Sequence, residues 1–256
     1  MEDKKDFPDV LYRYTTLSAN SFSCLINKTV WFADPRSFND PFDCRFSILE
    51  SSPKSFKMPA KLGAEIMVEK FNACKKGEEY DSSKEYRYKL EKALTEIGVL
   101  CLSICNDNML MWSHYADNHQ GFCLGFQMIG NDKFKVRPVD YEGKYIEFKI
   151  EDFADNLDRY IKDVIFNKAS YWAYEEEYRI VIEIPNGEDS RRNVKWGHFM
   201  TLDSVYLGYK TPEHHRDAIK NIFKSDSSIK IIEMEQVPGQ LQVKPKDRNQ
   251  GWVKRT

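Results

Sequence analysis

The chain lacks several features that would have named a function outright. No stretch of its 256 residues approaches the roughly 20 consecutive apolar residues that a membrane span requires. The opening Met-Glu-Asp-Lys-Lys-Asp offers no apolar region for a signal peptide, so no membrane association and a cytoplasmic location are expected. A basic excess is missing too. Lys plus Arg is 38 against 40 Asp plus Glu, a net charge of −2, which argues against a constitutive nucleic-acid binder. Among the twelve glycines there is no Gly-x-Gly-x-x-Gly and no Walker loop, which leaves standard dinucleotide and P-loop folds unsupported. Gly-x-Ser-x-Gly and His-Glu-x-x-His are absent, so neither an α/β-hydrolase elbow nor a zincin helix is indicated. The six cysteines, at 24, 44, 74, 101, 105 and 123, form no Cys-x-x-Cys pair and suggest neither a disulfide framework nor a zinc site. Several, such as Cys24 and Cys123 in apolar runs, read as small buried hydrophobes, and a reducing compartment is expected.

What is present is ordinary core material and one unusual centre. Hydrophobic residues make up 41% and charged residues 30%, with sixteen Phe and fourteen Tyr, which suits a globular chain. Periodicity predicts strands at 10–15, 29–33, 99–104, 122–127, about 134–140, 144–149, 177–184, 203–208 and 229–234. Helices are predicted from Ser18 through Phe22, Leu25 and Ile26, at about 60–74, at 83–97, at 151–166 and from Thr211, with Thr211 as cap and Pro212 at the first position. The expected fold is α+β, a single domain over 1–256 with mixed and antiparallel sheets flanked by helices. Residues 51–97 read as a helical insertion and 245–256 as a mobile basic tail.

The centre is Met109 to Phe126. Trp112 to His119 carries two of the five histidines, one of the five tryptophans and a tyrosine. Asp107 is a plausible N-cap for a helix over 108–118, which Gly121 releases into a buried strand. His114 and His119 lie five apart and diverge by roughly 140° on a helix, so they would not chelate one metal together. A plain core helix accounts for the segment about as well as a pocket wall made by Trp112, Ser113, His114 and Tyr115. Two further segments are informative. Phe38-Asn-Asp-Pro-Phe42 is a polar turn between aromatics, either a structural corner or a brace for a site. In Trp172-Ala-Tyr-Glu-Glu-Glu-Tyr-Arg179, an early strand start would put Glu175, Glu177 and Arg179 on one face, either as a solvated Glu–Arg pair or as ligand-binding acids.

Leu11-Tyr-Arg-Tyr, Phe38-Asn-Asp-Pro-Phe, Leu110-Met-Trp-Ser-His-Tyr-Ala-Asp with Gly121-Phe-Cys-Leu-Gly-Phe, and Trp172-x-Tyr-Glu-x-Glu-Tyr-Arg179 together resemble a bacterial domain-of-unknown-function family, across about residues 10–210. A more distant resemblance is to ADP-ribosyltransferases. Leu11-Tyr-Arg13 is similar to their first motif, Val99 to Ser103 to the second, and Glu175-x-Glu177 to the Glu-x-Glu motif. Thr29-Val-Trp-Phe-Ala is similar to the Tyr-Phe-Ala strand of one branch and competes with Ser103 for the same place. That resemblance implies a split sheet, NAD as substrate, no metal, and an enzyme of toxin-like or antiphage kind. It implies catalytic roles for Glu177, Glu175 and His114. Ligand contacts would come from Arg13, Tyr14, Asn39, Asp40, Ser103, Trp112 and Tyr115. The acceptor would be protein, nucleic acid or water. Two other readings stand beside it: a non-catalytic nucleotide- or partner-binding sensor, and a metal-dependent nuclease using Asp40, Asp43, Glu175 and Glu177.

Overall fold

A computed structural model describes residues 8–49, 72, 75–76, 83–129, 136–149 and 153–246. In chain order its strands are β1 (Val10–Thr15), β2 (Thr29–Trp31), β3 (Phe46–Leu49), β4 (Ile97–Ser103), β5 (Phe122–Met128), β6 (Val136–Pro138), β7 (Ile146–Lys149), β8 (Glu177–Glu183), β9 (Asn193–Lys195), β10 (Met200–Leu207), β11 (Lys230–Gln236) and β12 (Val243–Pro245). The described helices are α1 (Ala19–Asn27), α2 (Ser83–Thr95), α3 (Met109–Tyr115), α4 (Phe153–Ile165) and α5 (Glu213–Ile222). The arrangement is α+β. Eight strands form one sheet in the order β12-β11-β10-β5-β1-β4-β8-β6, antiparallel throughout except for the parallel pair β10–β11. Two small sheets, β2–β9 and β3–β7, stand beside it.

Strand alternation sorts the core. Along β1, Leu11 faces a cluster with Leu25, Phe122, Leu124, Phe126 and Trp196. Tyr12 and Tyr14 face the opposite cluster, with Trp112, Cys123 and Tyr206. A third cluster, including Leu90 of α2, Val164 of α4 and Phe148 of β7, fills the space under the small β3–β7 sheet. Each fully buried Leu or Phe here stabilises the fold by about 1.5–3 kcal/mol relative to exposure.

One seam in the large sheet is loose. β1 pairs with β5 over six residues but with β4 only at Tyr12–Ser103. Further along β4, Val99 instead exchanges both backbone hydrogen bonds with Ala33. The strands therefore splay apart beyond Tyr12, and the gap opens the pocket described below.

Several local expectations change. The helix at the centre is capped by Asn108, not Asp107: the Asn108 side chain accepts from the amides of Leu110 and Met111 at 2.9 and 3.3 Å. It ends at Tyr115 rather than 118, because Asp117, Asn118 and His119 all adopt left-handed backbone (φ 50°, 51° and 69°). Gly121 is required there, since a Cβ would lie 2.2 Å from the Thr15 carbonyl oxygen. Thr211 does not cap α5; its hydroxyl donates to Gly121 O at 3.0 Å, and Pro212 takes the cap position. Ile26, in the last turn of α1, is exposed. Pro245, read as the start of the tail, pairs with Met234. The helix expected at 60–74 and the tail beyond 246 lie almost wholly outside the described residues.

Candidate active site at the splayed seam

A pocket of about 470 Å³ opens where β1 and β4 part. Its walls come from β1 (Arg13, Tyr14, Thr15), the Ser37–Asn39 turn, β4 (Val99, Cys101, Ser103), α3 (Met111, His114, Tyr115), and the group Asp43, Lys168, Glu175, Glu177 and Arg179. That volume falls in the range typical of small-molecule sites.

Its floor is a buried ion network. Arg179 is fully buried and donates from Nε and Nη2 to the two oxygens of Glu177 (2.8 and 3.0 Å). Its Nη1 and Nη2 also reach the two oxygens of Asp43 (3.0 and 2.6 Å). Lys168 Nζ bonds Glu175 Oε2 at 2.5 Å and Glu177 Oε2 at 3.2 Å, and approaches Asp43 at 3.6 Å. Three carboxylates thus share two cations. Tyr115 continues the chain outward: its hydroxyl donates to Glu175 Oε1 at 2.6 Å and accepts from Asn39 Nδ2 at 3.5 Å. Phe38 and Trp172 lie 5.1 Å from the Arg179 and Lys168 cations, adding ring faces to both.

Local geometry explains how adjacent acids meet. Ser170–Glu175 is a 3₁₀ turn, and Glu176 takes left-handed backbone (φ 45°) before β8 begins. The kink turns Glu176 away to Cys105 Sγ, while Glu175 and Glu177 both face Lys168. Lys168 itself is pinned by its amide, which donates to Asp140 O at 2.9 Å, and the Glu177 amide donates to Tyr141 Oη at 2.8 Å.

The two glutamates are electrostatically distinct. Burial works against an ionised Glu177, but the Arg179 and Lys168 charges outweigh it and bring its pKa down to about 2. For Glu175 burial wins over the single Lys168 charge, helped by repulsion from Glu177, and its pKa is raised. One acid is therefore a fixed anion and the other is shifted toward the range of a proton donor or acceptor. Burial lifts the Tyr115 hydroxyl, and the adjacent Glu175 charge adds to the rise. Burial likewise raises the Cys101 thiol, which stays protonated.

Arg13 forms the other pole. It donates from Nη1 to Cys101 O across the seam at 3.1 Å and makes no ion pair among the described residues. Burial lowers its pKa, though a guanidinium keeps its proton. It leaves guanidinium donors available at the pocket wall.

Of the residues read from the sequence, Arg13, Tyr14, Asn39, Ser103, His114, Tyr115, Glu175 and Glu177 line this one pocket. Trp112 and Asp40 do not. Trp112 is fully buried beneath α3, its Nε1 donating to Asn106 O at 2.8 Å. Asp40 is buried and turns back to accept from the Phe42 amide at 2.9 Å. Ser103 Oγ accepts from the Cys105 amide at 3.1 Å. His114 Nδ1 contacts Tyr174 Oη at 3.1 Å. Asp43 does join Glu175 and Glu177, but their oxygens are turned to Arg179 and Lys168. No group of three metal-ligating side chains capable of holding an ion occurs among the described residues. Lys168 and Tyr141 were not singled out from sequence. A lone Lys after the apolar Ile165-Phe166 was the only signal for the first, and none marked the second.

The site is thus a seam pocket with Arg13 on its wall and, as its floor, the carboxylates Asp43, Glu175 and Glu177 paired with Lys168 and Arg179. A family model described as a protein of unknown function (DUF2971) matches residues 111–180. That span holds most of α3, all of β5 and the Trp172–Arg179 motif, whereas Arg13, Asn39 and Asp43 lie outside it. No curated protein and no solved structure matches the chain. No described helix is long and apolar enough to cross a membrane.

Proposed function

We propose that the seam pocket binds a dinucleotide of the NAD type and cleaves its nicotinamide–ribose bond, in the manner of an ADP-ribosyltransferase or an NAD glycohydrolase. The carrying observation is that one pocket is lined both by Arg13, with spare donors, and by the Glu175–Glu177 pair. A guanidinium suits bidentate contact with diphosphate oxygens. Breaking the glycosidic bond sends its electron pair to nicotinamide and develops positive charge on the ribose. The ionised Glu177 stabilises that charge from a fixed position. Glu175 lies one hydrogen bond behind Tyr115, so a ribose hydroxyl that displaces the phenol would find Glu175 Oε1 as its acceptor. The same relay would take the proton from an attacking protein, nucleic-acid or water oxygen. Tyr14 and His114 add ring surface at the pocket wall.

A second reading has its own support. Both oxygens of Glu177 are already engaged by Arg179 and Lys168, an arrangement that also suits ligand binding without turnover.

Incubation of the protein with NAD, with nicotinamide quantified by chromatography, tests the proposal. Wild type is expected to release nicotinamide, and Glu175→Gln to do so at least about a hundredfold more slowly. A thermal shift with NAD but no release, across candidate acceptors, would select the binding reading. Neither release nor shift would remove both.

A further inference from the structure

Behind the pocket wall sits a buried histidine that the pocket does not use. His119 is 7% exposed and belongs to the left-handed turn that follows α3. Its backbone ties two elements together. The amide donates to Trp112 O at 3.1 Å, and the carbonyl accepts from the Lys210 amide, just beyond β10, at 3.1 Å. Its ring lies parallel to Trp112, with centroids 6.3 Å apart, and meets the Tyr209 ring at 5.0 Å. Trp112 in turn meets Tyr14 edge-on at 5.3 Å. A disturbance at His119 therefore reaches α3, which brings Met111, His114 and Tyr115 to the pocket.

Hydrogen bonding fixes where the ring carries its proton. Nε2 lies 3.2 Å from Ser113 Oγ, and the Ser113 hydroxyl proton is already donated to Met109 O at 2.8 Å. Oγ is then the acceptor, and Nε2 holds the hydrogen. Nδ1 is left as the bare nitrogen, buried and without a partner among the described residues. A proton there would be a donor with no acceptor and a charge out of reach of water. The neighbours do not relieve it. Lys210 is a cation, and burial together with that charge lowers the His119 pKa from its ordinary 6.5. Arg216 of α5, held on the Tyr209 carbonyl at 3.1 Å, is a second cation on that side. Tyr209 and Ser113 present neutral hydroxyls. Asp117, two residues back on the same turn, exerts no offsetting attraction on the ring.

We propose that His119 is an acid-released latch on the wall of the seam pocket: neutral, it locks the turn after α3 against the end of β10; protonated, it leaves its socket and frees the α3 end that carries His114 and Tyr115. The latch acts on the pocket whatever ligand the pocket takes, so it stands or falls apart from the dinucleotide reading. A histidine held neutral by the fold costs nothing above the free value near 6.5. Below it, proton uptake favours the opened state, until the pH passes the depressed value of the closed one. This interval lies above the window from about 4.5 to about 2 in which Glu177 titrates. Glu175, raised, acts in the opposite sense and is common to wild type and variants.

The test is hydrogen exchange of the full chain at pH 7.5 and 5.5, read by mass spectrometry and corrected for intrinsic rates, beside an NMR titration of the histidine rings. Two variants that cannot titrate are compared with wild type. His119→Gln keeps a donor for Ser113 Oγ, and His119→Asn suits the left-handed backbone. Circular dichroism and melting temperature at pH 7.5 establish that each folds; should one fail, the other carries the comparison. In wild type, opening of peptides within 109–121 is expected to increase about three- to tenfold at pH 5.5, tenfold being about the limit for one proton over that interval. In the variants it is expected to change less than twofold, and the wild-type His119 ring is expected to titrate below 6.5. An equal response in wild type and variants, or a His119 ring that titrates at or above 6.5, would overturn the latch. So would a loss of protection spread evenly over β1 and β10, which would mark general unfolding.

Discussion

Arg179→Met is the sharpest test of the ion network beneath the pocket. Arg179 is fully buried and supplies the main counter-charge to Asp43 and Glu177, four hydrogen bonds in all, besides one to Ile165 O. Met fills much of the space but leaves three buried carboxylates, Asp43, Glu175 and Glu177, with Lys168 alone. Removing one partner of a buried pair typically costs about 3–5 kcal/mol. The depression of Glu177 points the same way: Arg179 and Lys168 together outweigh the burial that disfavours its ionised form. Against a total stability of about 5–15 kcal/mol, the variant should fold but be strongly weakened at neutral pH.

The pH dependence carries the mechanism. A carboxylate whose folded pKa is depressed contributes stability that is fully present above its unfolded value and is lost as pH falls through the folded one. For Glu177 that window runs from about 4.5 down to about 2. Glu175 is raised and acts in the opposite sense, so it softens the wild-type profile without reversing the difference between the two proteins. Urea unfolding followed by circular dichroism should show the gap between wild type and Arg179→Met narrowing as pH drops below about 4.5. Adding Asp43→Asn to Arg179→Met should recover about 1 kcal/mol or more at neutral pH, because one uncompensated charge disappears. A loss below about 1 kcal/mol, or a gap independent of pH, would refute the reasoning.

Three further outcomes are expected. Tyr115→Phe removes the hydroxyl that steadies ionised Glu175, so the Glu175 pKa should rise further and the acid limb of the nicotinamide-release profile should move to higher pH. A limb that stays put would take Tyr115 out of the relay. Gly121→Ala should lower stability by about 1–3 kcal/mol, read as a fall in melting temperature, since the new Cβ meets the Thr15 carbonyl; an unchanged melting point would contradict the close approach. Trp112→Ala should cost about 3–5 kcal/mol in chemical denaturation, whereas Trp112→Phe should leave NAD affinity nearly unchanged, because the ring lies in the core outside the pocket. A large affinity loss in a well-folded Trp112→Phe would place the ring at the ligand after all.

Much of the sheet could be read from the chain because alternation and β-branched runs carry it. Val10–Thr15, Phe122–Met128 and Glu177–Glu183 lie within a residue or so of where the pattern put them. Ends were less legible, since they depend on which side chain reaches which amide. Asn108 and Asp107 are both good caps by type, and only the geometry selects Asn108. The convergence of Arg13, Asn39, Tyr115 and Glu175 was suggested by odd residues in remote segments, and the splayed β1–β4 seam supplies the reason. Lys168 was not legible. A single lysine carries no pattern, and its role appears only once the Glu176 kink turns two acids toward it. Trp112 misled for a related reason: a Trp beside a Ser and a His looks like a pocket wall, but on α3 it points under the helix, into the core formed with Tyr14.

Calorimetric titration of NAD into the purified wild-type chain and into Arg13→Leu tests the central claim most directly. If the seam pocket is a dinucleotide site, wild type binds one NAD per chain and Arg13→Leu, which loses the Arg13 charge but not the paired carboxylate floor, binds at least tenfold more weakly. Absence of binding to wild type at millimolar NAD, or equal affinity for both proteins, would contradict the account.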